Sequence, residues 1–155
     1  MKLQNSKLVL RQIDKKLRPA KALKDTMPAE GWIKTIRKTL NMTLRQLANK
    51  MSITAPSMMA IEKRESEYGI TLKTLKTFAD ALDLTLVYGF IPKDGSLEKM
   101  VERKAREMAE KIVRRTSTSM KLEDQGNSEQ RIKQAIEELT EEIKREMPNS
   151  LWDLL

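Results

Sequence analysis

The sequence predicts a mainly α fold: a helix-turn-helix domain of five short helices, then one β-strand, with a helical arm in front and two longer helices behind. Three observations carry this expectation. Apolar residues recur at spacings of three, four and seven through most of the chain, the period of amphipathic helices. The stretch TLRQLANKMSITAPSMMAIEKRE joins two short periodic segments with almost nothing between them. The period changes once, at LTLVYGFI (84–91), where β-branched and aromatic residues crowd into a run too short for a comfortable helix.

In chain order, Leu3, Val9, Leu10, Ile13 and Leu17 mark a first helix that Pro19 ends. Residues 20–28 read as a connection, and Pro28 opens a second helix on Trp32, Ile33, Ile36 and Leu40, broken at Asn41. Thr43 suits the N-cap of LRQLANKM, ending near Met51, and Thr54 that of APSMMAIEKRE, with Ser52–Ile53 as the turn. After the loop ESEYGI, Thr71 caps LKTLKTFADAL, whose Leu72, Leu75, Phe78, Ala79 and Leu82 form one stripe. The strand 84–91 closes at Pro92 and needs a partner, and its own copy across a two-fold axis is the simplest one, which makes the chain a homodimer. Two charged helices come next at 97–116 and 128–147, joined by the polar TSTSMKLEDQGNS, before a tail with Trp152, Leu154 and Leu155 that either tucks in or enters a partner. The domains are therefore 1–27, a basic helix and connection; 28–92, the helix-turn-helix domain with its strand; and 93–155, a helical partner-binding region.

Composition narrows the function. The 155 residues contain no Cys and no His, which excludes disulfides, thiol chemistry and the commonest general base and metal ligand. Glycines at 31, 69, 89, 95 and 126 are scattered, so no phosphate loop forms. Glu137, Glu138, Glu141 and Glu142 read as a solvated helix face, and the Ser/Thr run 116–119 lacks a base to activate it. No catalytic residues, cofactor or metal are expected, nor is a membrane segment, and a cytoplasmic protein is the expectation. The net charge of +8 hides a gradient: eight bases against two acids over 1–26, but four against nine over 122–155. A basic front suits a polyanion and an acidic tail a protein, although either is also an ordinary solvated surface.

In the helix-turn-helix, Leu44, Leu47, Met51, Ile53, Met58 and Ile61 supply a core, and Ala48 sits where the two helices approach. The second helix would enter the major groove by its N-terminal end. Here the sequence resembles the Xre/Cro family of DNA-binding repressors over 32–84, through TLRQLANKM, the hydrophobic-Thr turn and Ile61–Glu62. It departs at the turn, where Ser52 replaces the usual Gly, and at the reading positions Ala55, Pro56, Ser57 and Met59, which carry no Gln, Arg or Asn. Base reading then leans on thymine methyls and Ser57, with DNA shape adding to it. Phosphate contacts fall to Thr43, Arg45, Thr54, Lys63 and Arg64 and to the arm residues Lys15, Lys16, Arg18, Lys21 and Lys24.

The blocks LxxxDKKLRPAKALKD (10–25), GWIKTIRKTLNMTLRQLA (31–48), EKRESEYGITLKTL (62–75), LTLVYGFIP (84–92), MKLEDQ (120–125) and SLWD (150–153) resemble the mobile mystery protein A family. That resemblance implies an antitoxin-like regulator found beside a Fic-domain protein, with the Fic enzyme as binding partner. Fic enzymes transfer AMP from ATP to hydroxyl side chains, and their inhibitors often carry an (S/T)xxxE(G/N) helix. TMPAEG places Thr26, Glu30 and Gly31 at those positions, although Glu30 also reads as a first-turn acid favoured by the helix dipole. The expected function is an antitoxin that neutralises a Fic toxin and represses its own operon through double-stranded operator DNA, with Trp152, Leu154 and Leu155 as candidate toxin contacts. The rival expectations are a stand-alone Xre-type regulator and a pure protein inhibitor that binds no DNA.

Overall fold

A computed structural model describes residues 2–122 and 128–153. It holds seven α-helices among the described residues: α1 (Lys2–Leu17), α2 (Trp32–Thr39), α3 (Leu44–Lys50), α4 (Ala55–Ser66), α5 (Leu72–Ala81), α6 (Leu97–Leu122) and α7 (Glu129–Glu146). Short 3-10 helices occupy Arg18–Leu23 and Asn149–Trp152. The chain divides into two compact units, Ala20–Gly89 and Met1–Pro19 with Phe90–Leu155.

In the Ala20–Gly89 unit, α2 to α5 surround a core of Ile33, Leu47, Ala48, Met58, Ile61 and Phe78. Each of these four helices closes in the same way. The residue after the C-cap turns left-handed, at Asn41, Ser52, Tyr68 and Asp83, with φ between 52° and 59°. The next amide then reaches back to a carbonyl of the final turn, as Met42 does to Arg37, Ile53 to Ala48, Gly69 to Arg64 and Leu84 to Ala79. This is the Schellman closure, built here four times without glycine at the left-handed position.

The strand expected at 84–91 is absent, and with it the dimerising ladder. A strand exists only through hydrogen bonds to a neighbouring strand, and the described residues contain none. Leu84 instead completes the closure of α5. Val87, Tyr88 and Phe90 stand exposed, because β propensity expresses packing on a pleated surface and does not create that surface. The five-helix count also changes, since among the described residues the helix-turn-helix unit holds four α-helices, α2 to α5, after the short 3-10 turn at Arg18–Leu23. Pro28 lies ahead of α2 in a turn, its carbonyl accepting the Gly31 N–H at 3.0 Å.

In the other unit, the small residues Ala105 and Ala109 let α6 pack closely on α7, where Ile136 and Ile143 are buried, and Leu151 seals the end. Thr140 is tolerated inside because its hydroxyl donates to the Ile136 carbonyl at 2.6 Å. α6 runs on through TSTS, expected to be a connection, because Thr116 and Thr118 bond the carbonyls of Ile112 and Arg114 and so remain helical. α1, expected to be a separate arm, packs its Leu10 against this core. Its Asp14 carboxylate accepts the amides of Leu97 and Glu98 at 2.7 and 3.1 Å, capping α6 from a residue over eighty positions away. Ser96 adds a local cap to Lys99.

Asp14→Ala should therefore lower the unfolding free energy of this unit by about 1 kcal/mol, the usual worth of a cap. Urea unfolding followed by helical circular dichroism measures it, and Asp14→Asn should recover most of the loss.

Candidate nucleic-acid interface

The two helices of the motif are held by caps that are visible in the sequence. Thr43 and Gln46 form a reciprocal capping box at the start of α3, with the Thr43 hydroxyl accepting the Gln46 N–H and the Gln46 side chain accepting the Thr43 N–H. Thr54 caps α4, its Oγ1 accepting the Ser57 N–H at 3.2 Å and donating to the Ser57 Oγ at 2.8 Å. Between them Ser52 takes φ 56°, the left-handed turn for which glycine is better suited.

A pair of buried carboxylates on the inner side of α4 orients that helix. Glu65, 3% exposed, receives the Trp32 and Ile33 amides at 2.9 and 2.8 Å, so it caps α2 in place of any side chain preceding that helix. A carboxylate at the positive end of a helix satisfies two otherwise unpaired donors and its own burial together. Glu62, 6% exposed, pairs with Arg37 at 2.6 Å, and Arg37 also donates to the Met42 carbonyl in the α2–α3 link. Its hydrogen bonds to Glu62 raise Arg37 above the usual guanidinium range and keep it protonated. Gly31 makes the first of these contacts possible: its φ is +83°, and a Cβ there would lie 2.8 Å from a Glu65 oxygen.

The predicted reading residues fall into two groups. Thr43 and Arg45 are exposed at the start of α3, and Thr54, Pro56, Ser57, Met59, Lys63 and Arg64 are exposed at the cap and along the outer side of α4. Ala55 is turned partly inward and half-buried. Lys63 makes a loose pair with Glu67 at 3.9 Å that leaves its charge in solvent. Ala60 was not among the predicted residues. It is exposed one turn beyond Pro56, and the i, i+4 spacing from Pro56 already marked it. The basic arm is divided: Lys15, Lys16 and Arg18 belong with α6 and α7, while Lys21 and Lys24 belong with the helix-turn-helix.

Thr26, Glu30 and Gly31 lie on no helix. The Thr26 hydroxyl donates to the Leu23 carbonyl, and Gly31 is the buried N-cap of α2. Glu30 is held by Lys34 and Lys38, whose hydrogen bonds lower its carboxyl to about 2. Trp152 is half exposed beside the fully buried Leu151, while Leu154 and Leu155 lie outside the described residues. Among the described residues no group of acids is placed to hold a metal ion, and no helix is long and apolar enough to cross a membrane.

Two stability changes test this frame. Gly31→Ala combines a left-handed φ with a clash on Glu65 and should destabilise by about 2 kcal/mol. Ser52→Gly relieves the turn and should stabilise by roughly 0.5–1 kcal/mol. Thermal unfolding of the full chain reads both.

Residues 33–87 match the Cro/C1-type helix-turn-helix DNA-binding domain, a span covering α2 to α5 almost entirely. The chain is also 30% identical over 114 residues to the uncharacterized HTH-type transcriptional regulator YqaE of Bacillus subtilis (strain 168), covering 72% of this chain and 90% of that protein. No solved structure matches it. With a capped, exposed second helix at the matching position and a relative aligned through most of both chains, this protein belongs to the Cro/C1-type helix-turn-helix family of transcriptional regulators.

Proposed function

We propose that this regulator represses its own operon and serves as the antitoxin of a Fic-domain enzyme encoded beside it. The observation that carries the DNA half is the outer side of α4, solvent-exposed at Pro56, Ser57, Met59 and Ala60 and carrying Lys63 and Arg64, with Arg45 exposed on the first turn of α3. Phosphate contacts from such bases and from capped helix N-termini position a reading helix in the major groove. Two copies would then bind a palindromic operator with half-sites about one helical turn apart.

The antitoxin half is supported by the sequence blocks shared with the mobile mystery protein A family, and by the separate packing of a second, acid-richer unit. Its action is binding without catalysis. Toxin contact is assigned to that second unit, with Trp152 as an exposed apolar anchor beside the buried Leu151. Thr26, Glu30 and Gly31 are poor candidates, because each is already engaged within the helix-turn-helix unit. A stand-alone regulator is the second reading, favoured by the description of the relative as a transcriptional regulator.

Co-purification with the neighbouring gene product, followed by titration onto promoter DNA at two salt concentrations, separates these readings. The expected result is a stable complex that binds DNA with steep salt dependence, and Arg45→Ala or Arg64→Ala should each flatten the salt slope by about 1. A complex without DNA binding would make the protein an inhibitor only, and DNA binding without a complex would make it a stand-alone regulator.

A further inference from the structure

Over its first two turns, α4 carries apolar side chains on its outer side as well as its inner one. Met58 and Ile61 fill the core on the inner one. Opposite them, a rotation of about 100° per residue sets Pro56, Ala60 and Lys63 along the outermost line, with Met59 on one flank and Ser57 and Arg64 on the other. Pro56 and Ala60 are exposed, and Met59 is 61% exposed. A surface helix ordinarily carries polar groups on its outward positions, so an exposed apolar patch over these two turns marks a surface that a ligand covers. The first two outward turns offer a pyrrolidine ring, a thioether and a methyl, with a single hydroxyl, that of Ser57. That hydroxyl accepts from Thr54, so its own proton remains to donate.

Resting on the operator-binding reading, we infer that α4 selects its site chiefly by the C5-methyl groups of thymines in the major groove, read by Met59 and Ala60. Among the groups that unmodified base pairs display in that groove, the thymine methyl is the apolar one. An apolar ridge with a basic rim complements a methyl-bearing floor between two phosphate rails, so charge and polarity match together. The small side chains at positions 56 and 60 allow the helix backbone to approach the bases closely. No Arg, Asn or Gln fork competes for the hydrogen-bonding edges along the first two turns of α4. An apolar segment of a partner protein is the other cover this ridge could take, and uracil substitution in the duplex separates the two.

The full chain is used to select duplexes from a random-sequence library. A recovered duplex is then resynthesised with deoxyuridine for thymidine, one position at a time, which removes the methyl and keeps every hydrogen-bonding edge. Affinity should fall about three- to fivefold at a few half-site thymines, the worth of one buried methyl each. The Met59→Gln chain, altered at an exposed position, should bind the thymine and uracil forms of its own contact position equally. Undiminished binding of a fully uracil-substituted duplex would overturn the inference and leave operator binding intact. Recovery of no duplex would overturn operator binding as well, and would leave the ridge to a protein partner.

Discussion

The Glu65 carboxylate is the point on which the helix-turn-helix unit turns. It sits on the helix that faces outward and closes the N-terminus of a helix over thirty residues earlier, with both oxygens used. Buried alone, that charge would cost several kcal/mol. Placed against two unpaired amides at the positive end of α2, it becomes an attachment with a defined direction. Glu62 repeats the device one turn earlier with Arg37, and Arg37 extends it to the Met42 carbonyl. Among the described residues no buried side-chain nitrogen or oxygen lacks a partner. The apolar core alone would permit α4 to rotate or slide, whereas these directional contacts set its rotation and hence which residues face outward.

The outward face is a consequence of that setting. With Met58, Ile61, Glu62 and Glu65 committed inward, Pro56, Ala60 and Lys63 are left as the outer line and Met59 beside them. The turn before α4 is equally constrained, since Ser52 accepts a left-handed backbone so that Ile53 can return its amide to Ala48. Function in such a domain lies less in reactive groups than in the orientation of one short helix.

The second unit uses the same physics with different residues. Asp14 caps α6 from α1 as Glu65 caps α2 from α4, each an acid at the N-terminus of a helix remote in sequence. Stability in a chain so poor in aromatic residues depends on closing helix ends as well as on burying apolar area. The Arg103 guanidinium, bonded to Asp94 at 2.9 and 3.0 Å and to Glu107, ties the approach to α6 to its own second turn, although its exposure limits the contribution to stability.

Local features were legible in the sequence because local rules govern them. Thr43, Thr54 and Thr71 are caps as expected, and Leu47 of α3, Met58 and Ile61 of α4 and Phe78 of α5 meet in the core, although Leu72, expected in the α5 stripe, stands exposed. The exposed side of α4 was legible as well, since the Thr54 cap fixes the start of α4 and so the angular position of every later residue on it. The tertiary structure decided whatever depended on a partner distant in the chain. A β-rich run at 84–91 stays irregular for want of a strand to pair with. The Gly31 position, which suggested part of an inhibitory motif, is a left-handed cap shaped by Glu65. The basic first helix belongs with α6 and α7 because Asp14 finds two amides there. Caps and periods are encoded within a few residues, whereas a carboxylate's partner and a strand's neighbour are encoded only by the folded whole.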